Sequence, residues 1–269
     1  MDWKGKHMSV FRHGGAALRV LKQDGLKAIL SILKSKRLPP NPQSAESKWK
    51  AGVASEVEFW DEYFRTKGLQ WTDTYGLRLN PDLPLQPRPA TLLPSQPEVQ
   101  ILDVGAGPLT YLGKQHQGKR LIITAVDPLA DEYNRILDKY HVQPVVRTQT
   151  LAAEDLTSRF SSDMFDLVFA RNCIDHAHDP EKAVLEMVKV VKKGGYVLLE
   201  HRPNEAKNEG YKGLHQWNFS RSAKGEFLLG SMDGSVNLTK RYADRCAMTC
   251  EIVNEAGDGD WLITRIRKL

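Results

Sequence analysis

The pattern of apolar and polar positions changes at about residue 98. Beyond it, short apolar runs alternate with stretches in which apolar residues recur at helical spacing. This pattern predicts two helices, at 131–140 and 180–193, and five strands, at 99–104, 121–126, around 145–146, 165–170 and 196–200. Strands that alternate with helices through short connections are typical of a parallel α/β sheet with helices on both faces.

The C-terminal pattern is different. Residues 248–253 and 261–266 read as two strands, and the Gly-Asp-Gly-Asp joint at 257–260 is too short for a crossover helix. The pair is therefore predicted to be an antiparallel hairpin. With the five preceding strands it gives a Rossmann-like, seven-stranded, mostly parallel sheet. An antiparallel hairpin at the end of the sheet is unusual for a dinucleotide-binding domain.

The N-terminal part predicts a helical extension. Leu26, Ile29, Leu30 and Leu33 form one helical stripe among lysines, and a second apolar helix face covers 53–67. Six prolines between 81 and 97 predict an extended connector. We therefore divide the chain into residues 1–97, a basic helical arm with a connector that could cover a substrate, and residues 98–269, the regular domain.

The charge distribution and the cysteine content limit which partners and which cellular compartment are expected. The net charge is +5, but residues 1–38 alone carry nine Lys/Arg and two Asp, so the remaining chain has a net charge of −2. A nucleic-acid groove across the body is therefore not expected. The arm either contacts an anionic membrane surface or packs against its own domain or a second subunit. The three cysteines and the absence of a signal-like apolar stretch at the start favour a cytoplasmic location.

The chemistry-bearing motif follows the first predicted strand. Gly105 and Gly107 allow a tight backbone turn close to a ligand, and the turn is expected to lead into a helix. Asp127 ends the second strand and can accept both hydroxyl groups of a ribose. Asp103, immediately before the glycines, favours a cationic ligand over a pyrophosphate. A nicotinamide site would also require a third small residue near position 110, where this chain has Thr110.

With these motifs, the block 99–200 resembles the class I S-adenosylmethionine-dependent methyltransferases, in particular the small-molecule, type 11-like domains. The segments that carry the resemblance are ILDVGAGP, AVDP, LAAEDL, FDLVFARNCIDHAHDP and VVKKGGYVLLE, in the order of that family. The resemblance implies S-adenosyl-L-methionine as the cofactor. The predicted C-terminal hairpin of this chain agrees with the sixth and seventh strands of the family.

The resemblance also implies roles for individual residues. Asp103, Gly105 and Gly107 would shape the pocket for the methionine end, and Asp127 would bind the ribose. The backbone of Ala153, together with Glu154 or Asp155, would contact the adenine. Asn172 would face the cofactor and the substrate entrance, and His176 matches a histidine that often follows this strand.

The candidate catalytic bases and substrate-binding residues are chosen by their positions in the sequence relative to the predicted strands. His176 and His201 are the candidate catalytic bases, since a histidine suits proton removal at neutral pH and each follows a strand at its carboxyl end. His215, Trp217 and Asn218 form a polar–aromatic cluster that could hold a substrate. The spacing of Cys, His and acidic residues indicates no metal site.

The sequence therefore predicts methyl transfer to a small polar acceptor, at a sugar or metabolite hydroxyl. Two alternatives remain open: a catalytically silent scaffold attached through the basic arm to a membrane or partner, and an NAD-dependent oxidoreductase. The expected partner is the small-molecule acceptor, with peripheral membrane or homo-oligomer contact possible through residues 1–38.

Overall fold

The structure is a computed structural model that describes residues 45–69 and 71–269, with side chains from residue 52 onward except residue 70. The predicted basic helix around 26–33 lies outside the described residues. The helices are α1 (Ala45–Arg65), α2 (Thr72–Leu79), α3 (Pro87–Ala90), α4 (Ala130–Lys139), α5 (Pro180–Val190), α6 (Glu205–Asn208) and α7 (Leu238–Arg241). The strands are β1 (Glu98–Val104), β2 (Arg120–Asp127), β3 (Gln149–Thr150), β4 (Phe165–Arg171), β5 (Val191–His201), β6 (Asn218–Arg221), β7 (Phe227–Ser231), β8 (Gly234–Asn237), β9 (Cys246–Glu255) and β10 (Gly259–Lys268).

Seven strands form the central sheet in the order β3-β2-β1-β4-β5-β10-β9. The first five are parallel, whereas β10 runs antiparallel to both β5 and β9. The predicted mostly parallel sheet with a C-terminal antiparallel hairpin is confirmed. The chain order reverses between β1 and β4, which is where open α/β sheets bind ligands.

Helices cover the two faces because the crossovers run in opposite directions from this reversal. α4 connects β2 to β3 and α5 connects β4 to β5, so right-handed connections place them on opposite sides. Leu102 and Val168 pack in the core layer that includes Met187 of α5. Ile101 and Leu167 belong to the opposite core layer. This alternation is what two-sided burial of the central strands requires.

The expected helix after the glycine loop is wrong. Residues 105–119 form turns without a helix. Pro108, Gly113 and Gly118 disfavour helix there. The loop bonds instead to the proline-rich segment: the Leu85 amide donates to the Gln115 carbonyl at 2.7 Å, and the Lys114 amide donates to the Leu83 carbonyl at 2.7 Å.

The proline-rich segment was predicted to be an extended connector, but it is extended only in part because it contains the short helix α3. Pro87 occupies the first turn of α3, where its missing N–H group costs nothing. Leu85 is buried in the same core layer as Ile101 and Leu112. This segment and the loop 105–119 together cover part of the sheet face where the predicted helix was expected.

Two further differences concern short elements. The third strand lies at Gln149–Thr150, so the position around 145–146 is wrong; Val145 is exposed and follows Pro144, which has no amide hydrogen for a ladder. A second, three-stranded antiparallel sheet of β6, β7 and β8 was not predicted. Among the described residues, no helix is long and apolar enough to cross a membrane.

Candidate active site

A cavity of about 580 Å³ opens at the carboxyl ends of β1, β2 and β4, beside the reversal of strand order. This volume is within the range of small-molecule sites, roughly 300–1,000 Å³. The predicted cofactor residues that line it are Asp103, Gly105, Gly107, Asp127, Ala153, Glu154 and Asn172, and the candidate base His176 lines it too. The structure thus brings together residues that are up to 73 positions apart in the chain.

The glycine loop folds back against β2. Gly105 and Gly107 have φ values of 66° and 63°, in the left-handed region that favours glycine. A Cβ atom at Gly105 would overlap the side chain of Cys173, so the close approach also requires glycine. The Gly105 amide donates to the Val126 carbonyl at 2.8 Å, and this bond fixes the loop above the end of β2.

Asp127 is held by backbone donors. The Gly107 amide donates to Oδ2 at 3.1 Å, and the Leu129 amide donates to Oδ1 at 2.9 Å. Burial nevertheless raises the pKa of Asp127 to about 7, against the effect of these two bonds. Both carboxylate oxygens keep lone pairs on which ribose hydroxyls could donate.

Asp103 lies near the end of β1, just before the glycine loop, and is 2% exposed. Its Oδ2 accepts a hydrogen bond from the Thr110 hydroxyl at 2.5 Å. Burial raises the pKa of Asp103 to about 7, although the Thr110 bond and the positive charge of Arg78 act against the rise. An ionised carboxylate in this position would gain free energy from a cationic ligand.

The remaining predicted cofactor residues differ in their surroundings. Glu154 Oε1 accepts from the Asp179 amide at 3.1 Å, and Asp155 instead pairs with Lys182 at 3.0 Å on the exposed surface. Asn172 has φ 49° and accepts from the Arg202 amide at 3.2 Å. Within the described residues, its buried Nδ2 has no hydrogen-bond partner. A buried donor on a cavity wall is a group that a ligand would satisfy.

Sequence reasoning missed Arg78 of α2. Its Nη1 donates to the Leu109 carbonyl at 2.9 Å, and its guanidinium lies 5.8 Å from the centre of the Trp60 ring. Its Nε is buried and, in the part of the chain that the structure describes, has no hydrogen-bond partner. Since Arg78 lies 31 residues before Leu109 in a different segment, no motif spacing marked it.

The candidate bases occupy different positions. His176 lines the cavity, and its Nε2 lies 3.2 Å from Nδ1 of His215 and 3.4 Å from Oδ2 of Asp175. His201 is 2% exposed, and its Nε2 accepts from the Ile174 amide at 3.2 Å. Burial lowers the pKa of His201 to about 4, so the ring is neutral at pH 7.

In the part of the chain that the structure describes, the predicted substrate residues His215, Trp217 and Asn218 do not themselves line the cavity. His215 contacts His176 as described, and the neighbouring Leu214 lines the cavity. Trp217 Nε1 donates to the Ala177 carbonyl at 3.1 Å. Asn218 is buried and accepts from the Lys207 amide at 2.9 Å. Their role in substrate binding stays a prediction.

Strand order, terminal hairpin and glycine loop together define the class: a Rossmann-like, class I S-adenosylmethionine-dependent methyltransferase fold. Residues 102–199, about a third of the chain, match the family model described as a methyltransferase domain. The family and the fold imply S-adenosyl-L-methionine as the cofactor.

Two curated relatives are similar over part of the chain. Phosphoethanolamine N-methyltransferase 2 of Caenorhabditis elegans is 35% identical over 63 residues, which are 23% of this chain and 14% of that protein. Phosphatidylethanolamine N-methyltransferase of Cereibacter sphaeroides is 29% identical over 103 residues, 37% of this chain and 49% of that protein. The matches thus span at most about half of these relatives.

A solved structure supports the fold. The complex between the Haloferax volcanii Trm112 methyltransferase activator and its methyltransferase matches with a TM-score of 0.50 at 12% identity, covering 78% of this chain and 98% of that chain. At this identity the likeness concerns the fold alone.

Proposed function

We propose that the protein transfers a methyl group from S-adenosyl-L-methionine to a hydroxyl group of a small polar acceptor, such as a sugar or another metabolite. The observation that carries this proposal is that His176 shares one cavity with Asp103, Asp127 and the glycine loop. A proton acceptor and a cation-binding pocket in one small-molecule cavity are what methyl transfer to a hydroxyl group needs.

The cavity fits the cofactor. Asp103 would receive the cationic amino group. Arg78 Nε, which has no hydrogen-bond partner among the described residues, would donate to the carboxylate of the methionine end. Asp127 would accept from the ribose hydroxyls, with Ala153 and Glu154 at the adenine. The bare glycine backbone leaves room for close approach, since a Cβ at Gly105 would overlap Cys173.

The cofactor supplies a methyl group that its sulfonium already activates, so the chain's own residues position the acceptor and remove its proton. Nε2 of His176 takes the proton of the acceptor hydroxyl, and the adjacent Asp175 carboxylate stabilises the imidazolium that forms. His201 acts as a positioning residue, because it holds the Ile174 amide in the turn that carries His176.

The acceptor side of the cavity combines aromatic rings with fixed polar groups. Arg171 lies 3.8 Å from the centre of the Trp261 ring and 4.4 Å from that of Tyr111, and it pairs with Glu200. Arg171 covers a face of each ring and Trp261 is 1% exposed, so the polar groups of the wall, rather than a free ring face, would select the hydroxyls of the acceptor. The names of the curated relatives refer to methyl transfer to an amine nitrogen, so amines belong in any acceptor panel.

We also propose that residues 1–97 form an arm and substrate cover on the methyltransferase domain 98–269. Trp60 of α1 and Arg78 of α2 lining the cavity support a cover. The basic residues 1–38 would contact a membrane surface, a second copy or the chain's own domain. The proposed location is cytoplasmic.

The test has two parts. Calorimetric titration should give binding of S-adenosyl-L-methionine and none of NAD. Turnover is then measured on a panel of sugar and metabolite hydroxyls, with phosphoethanolamine as the amine arm. We expect His176→Ala to lower turnover by about 100-fold or more while the cofactor Kd changes by less than a few-fold. His178→Ala, an exposed histidine two residues away, is the matched control.

Three results would contradict this proposal. Unchanged turnover in His176→Ala would remove its role as the base. Cofactor binding without turnover on either the hydroxyl or the amine arm would favour the catalytically silent scaffold. Turnover on amines alone would replace the hydroxyl acceptor by a nitrogen acceptor.

A further inference from the structure

Three metal-ligating side chains converge at the rim of the cavity. Asp175 and His176 belong to the short turn Ile174–His176 after β4, and His215 comes from the segment before β6. Asp175 Oδ2, His176 Nε2 and His215 Nδ1 are separated by 3.2, 3.3 and 3.4 Å. They form a nearly equilateral triangle of one carboxylate oxygen and two imidazole nitrogens.

The size of this triangle matches tetrahedral coordination. With metal–ligand distances of about 2.0–2.1 Å, two ligands of a tetrahedral Zn²⁺ ion lie about 3.3–3.4 Å apart. Neighbouring ligands of an octahedral ion at about 2.0–2.1 Å would lie closer, at about 2.9 Å. The three atoms therefore stand at the separation that zinc would impose, before any ion is added.

Hydrogen bonds cannot join all three atoms of the triangle to one another. Each ring nitrogen carries at most one proton, so two nitrogens and an oxygen in mutual contact cannot all be joined by hydrogen bonds. Two protonated rings would place two N–H donors 3.2 Å apart, where they repel. Asp175 is 2% exposed, and within the described residues its Oδ1 has no hydrogen-bond partner.

The charge balance points the same way. Among the described residues, the ion pairs of Asp175 are with His176 and His215, and no lysine or arginine lies within salt-bridge distance. A buried carboxylate without a permanent cation is costly unless a partner neutralises it. A divalent ion between the carboxylate and the two rings would supply that positive charge and use all three ligand atoms.

We propose that Asp175, His176 and His215 form a binding site for a divalent transition metal ion with tetrahedral preference, of which Zn²⁺ fits best. The spacing of residues in the sequence could not indicate it, because the two histidines are 39 positions apart. This departs from the sequence prediction of no metal. The ion and the proton compete for Nε2 of His176, so metal loading and base function exclude one another; only this consequence rests on the proposed function.

The first test is a titration of the metal-free full-length chain with Co²⁺, a probe whose visible absorption reports tetrahedral coordination. We expect the wild type to bind one equivalent with that absorption. His215→Ala and Asp175→Asn should lose this equivalent or bind it about 100-fold more weakly, because the first removes a ring nitrogen and the second removes the negative charge of the carboxylate. His178→Ala should retain it. Equal binding and equal absorption in the wild type and His215→Ala would overturn the proposal.

The second test uses the wild type only, so it does not depend on how the variants fold. X-ray absorption of the chain loaded with one equivalent of Zn²⁺ should show nitrogen and oxygen neighbours with the scattering of two imidazoles. Sulfur neighbours, which Cys173 or another cysteine would give, would contradict the site.

The metal site and the base role can fail separately. If both hold, zinc loading lowers methyl transfer in the wild type, and removal of zinc with a chelator restores it. Unchanged methyl transfer in the loaded protein would contradict the base role of His176 and leave the metal site in place. Loss of methyl transfer in His176→Ala, together with equal Co²⁺ binding in His215→Ala and the wild type, would do the reverse.

Discussion

Burial of the Asp103 carboxylate should lower the free energy of unfolding of the cofactor-free protein at neutral pH. Its pKa is raised from 3.8 to about 7 by burial, which is about 3 pKa units or about 4 kcal/mol. A raised carboxyl pKa means that the folded chain holds the proton more tightly than the unfolded chain. The contribution of Asp103 to stability is therefore present at low pH and is lost as the pH rises from about 4 to about 7.

Asp103→Asn tests this cost directly, because the amide has the same shape and can still accept from the Thr110 hydroxyl. The amide has its own desolvation cost, so we expect about half of the 4 kcal/mol, or about 2 kcal/mol of added stability at pH 8. For a chain of 269 residues this raises the Tm of the cofactor-free protein by about 4 °C. At pH 4 the two proteins should have nearly the same Tm.

The same change should weaken cofactor binding. In the proposed site an ionised Asp103 would give the amino group a charge-assisted hydrogen bond, worth about 1.5–3 kcal/mol, so the Kd for S-adenosyl-L-methionine should rise about 10–100-fold at pH 8. Calorimetry at pH 4 and pH 8 gives the stability, and isothermal titration at pH 8 gives the Kd. Asp82→Asn, at an exposed carboxylate, is the control. A variant that is no more stable at pH 8 would refute the burial argument, and an unchanged Kd would refute the role in binding the amino group.

Four further predictions concern the cavity, the loop 105–119, helix α2 and the N-terminal arm. Arg78→Met should keep the packing on Trp60 while raising the cofactor Kd about 10-fold or more, measured by titration; an unchanged Kd would remove Arg78 from the cofactor site. Gly113→Ala should destabilise the protein by about 1–3 kcal/mol in urea unfolding, because a Cβ there overlaps the Pro84 carbonyl. Gly76→Ala, with open space around its Cβ, should instead be neutral or stabilising by up to about 1 kcal/mol. Deletion of residues 1–38 should abolish binding to anionic liposomes in a sedimentation assay if the arm contacts membranes, and equal binding of both proteins would end that hypothesis.

The sheet could be predicted because its information is local. The apolar run that contains Ile101 and Leu102 is buried on both faces, and such a run is a strand in almost any α/β context. The joint at 257–260 left no room for a crossover, so the antiparallel hairpin followed from length alone. That Asp103, Asp127 and the glycines meet at one cavity could be predicted because they lie on one loop and at the end of the next strand; their roles stay a prediction.

The parts that were missed depend on contacts between distant segments. The loop 105–119 lacks the expected helix because its backbone groups bond to residues 83–86, about 30 positions earlier. Arg78 reaches the cavity from a helix with no recognisable motif. The pairing of His176 with His215 is set by the path of the chain between β5 and β6. None of these contacts leaves a periodic signal in the sequence.

The contact between the proline-rich segment and the loop 105–119 couples the N-terminal part of the chain to the cofactor pocket. Leu85 packs in the core layer on one face of the sheet. Its amide donates to the Gln115 carbonyl in the loop that begins at Gly105. Trimming the protein at residue 98 would therefore strip the sheet of part of its cover and loosen the pocket in one cut. An attempt to change acceptor specificity by replacing the N-terminal segment has to preserve this contact, because its loss would also weaken binding of the methyl donor.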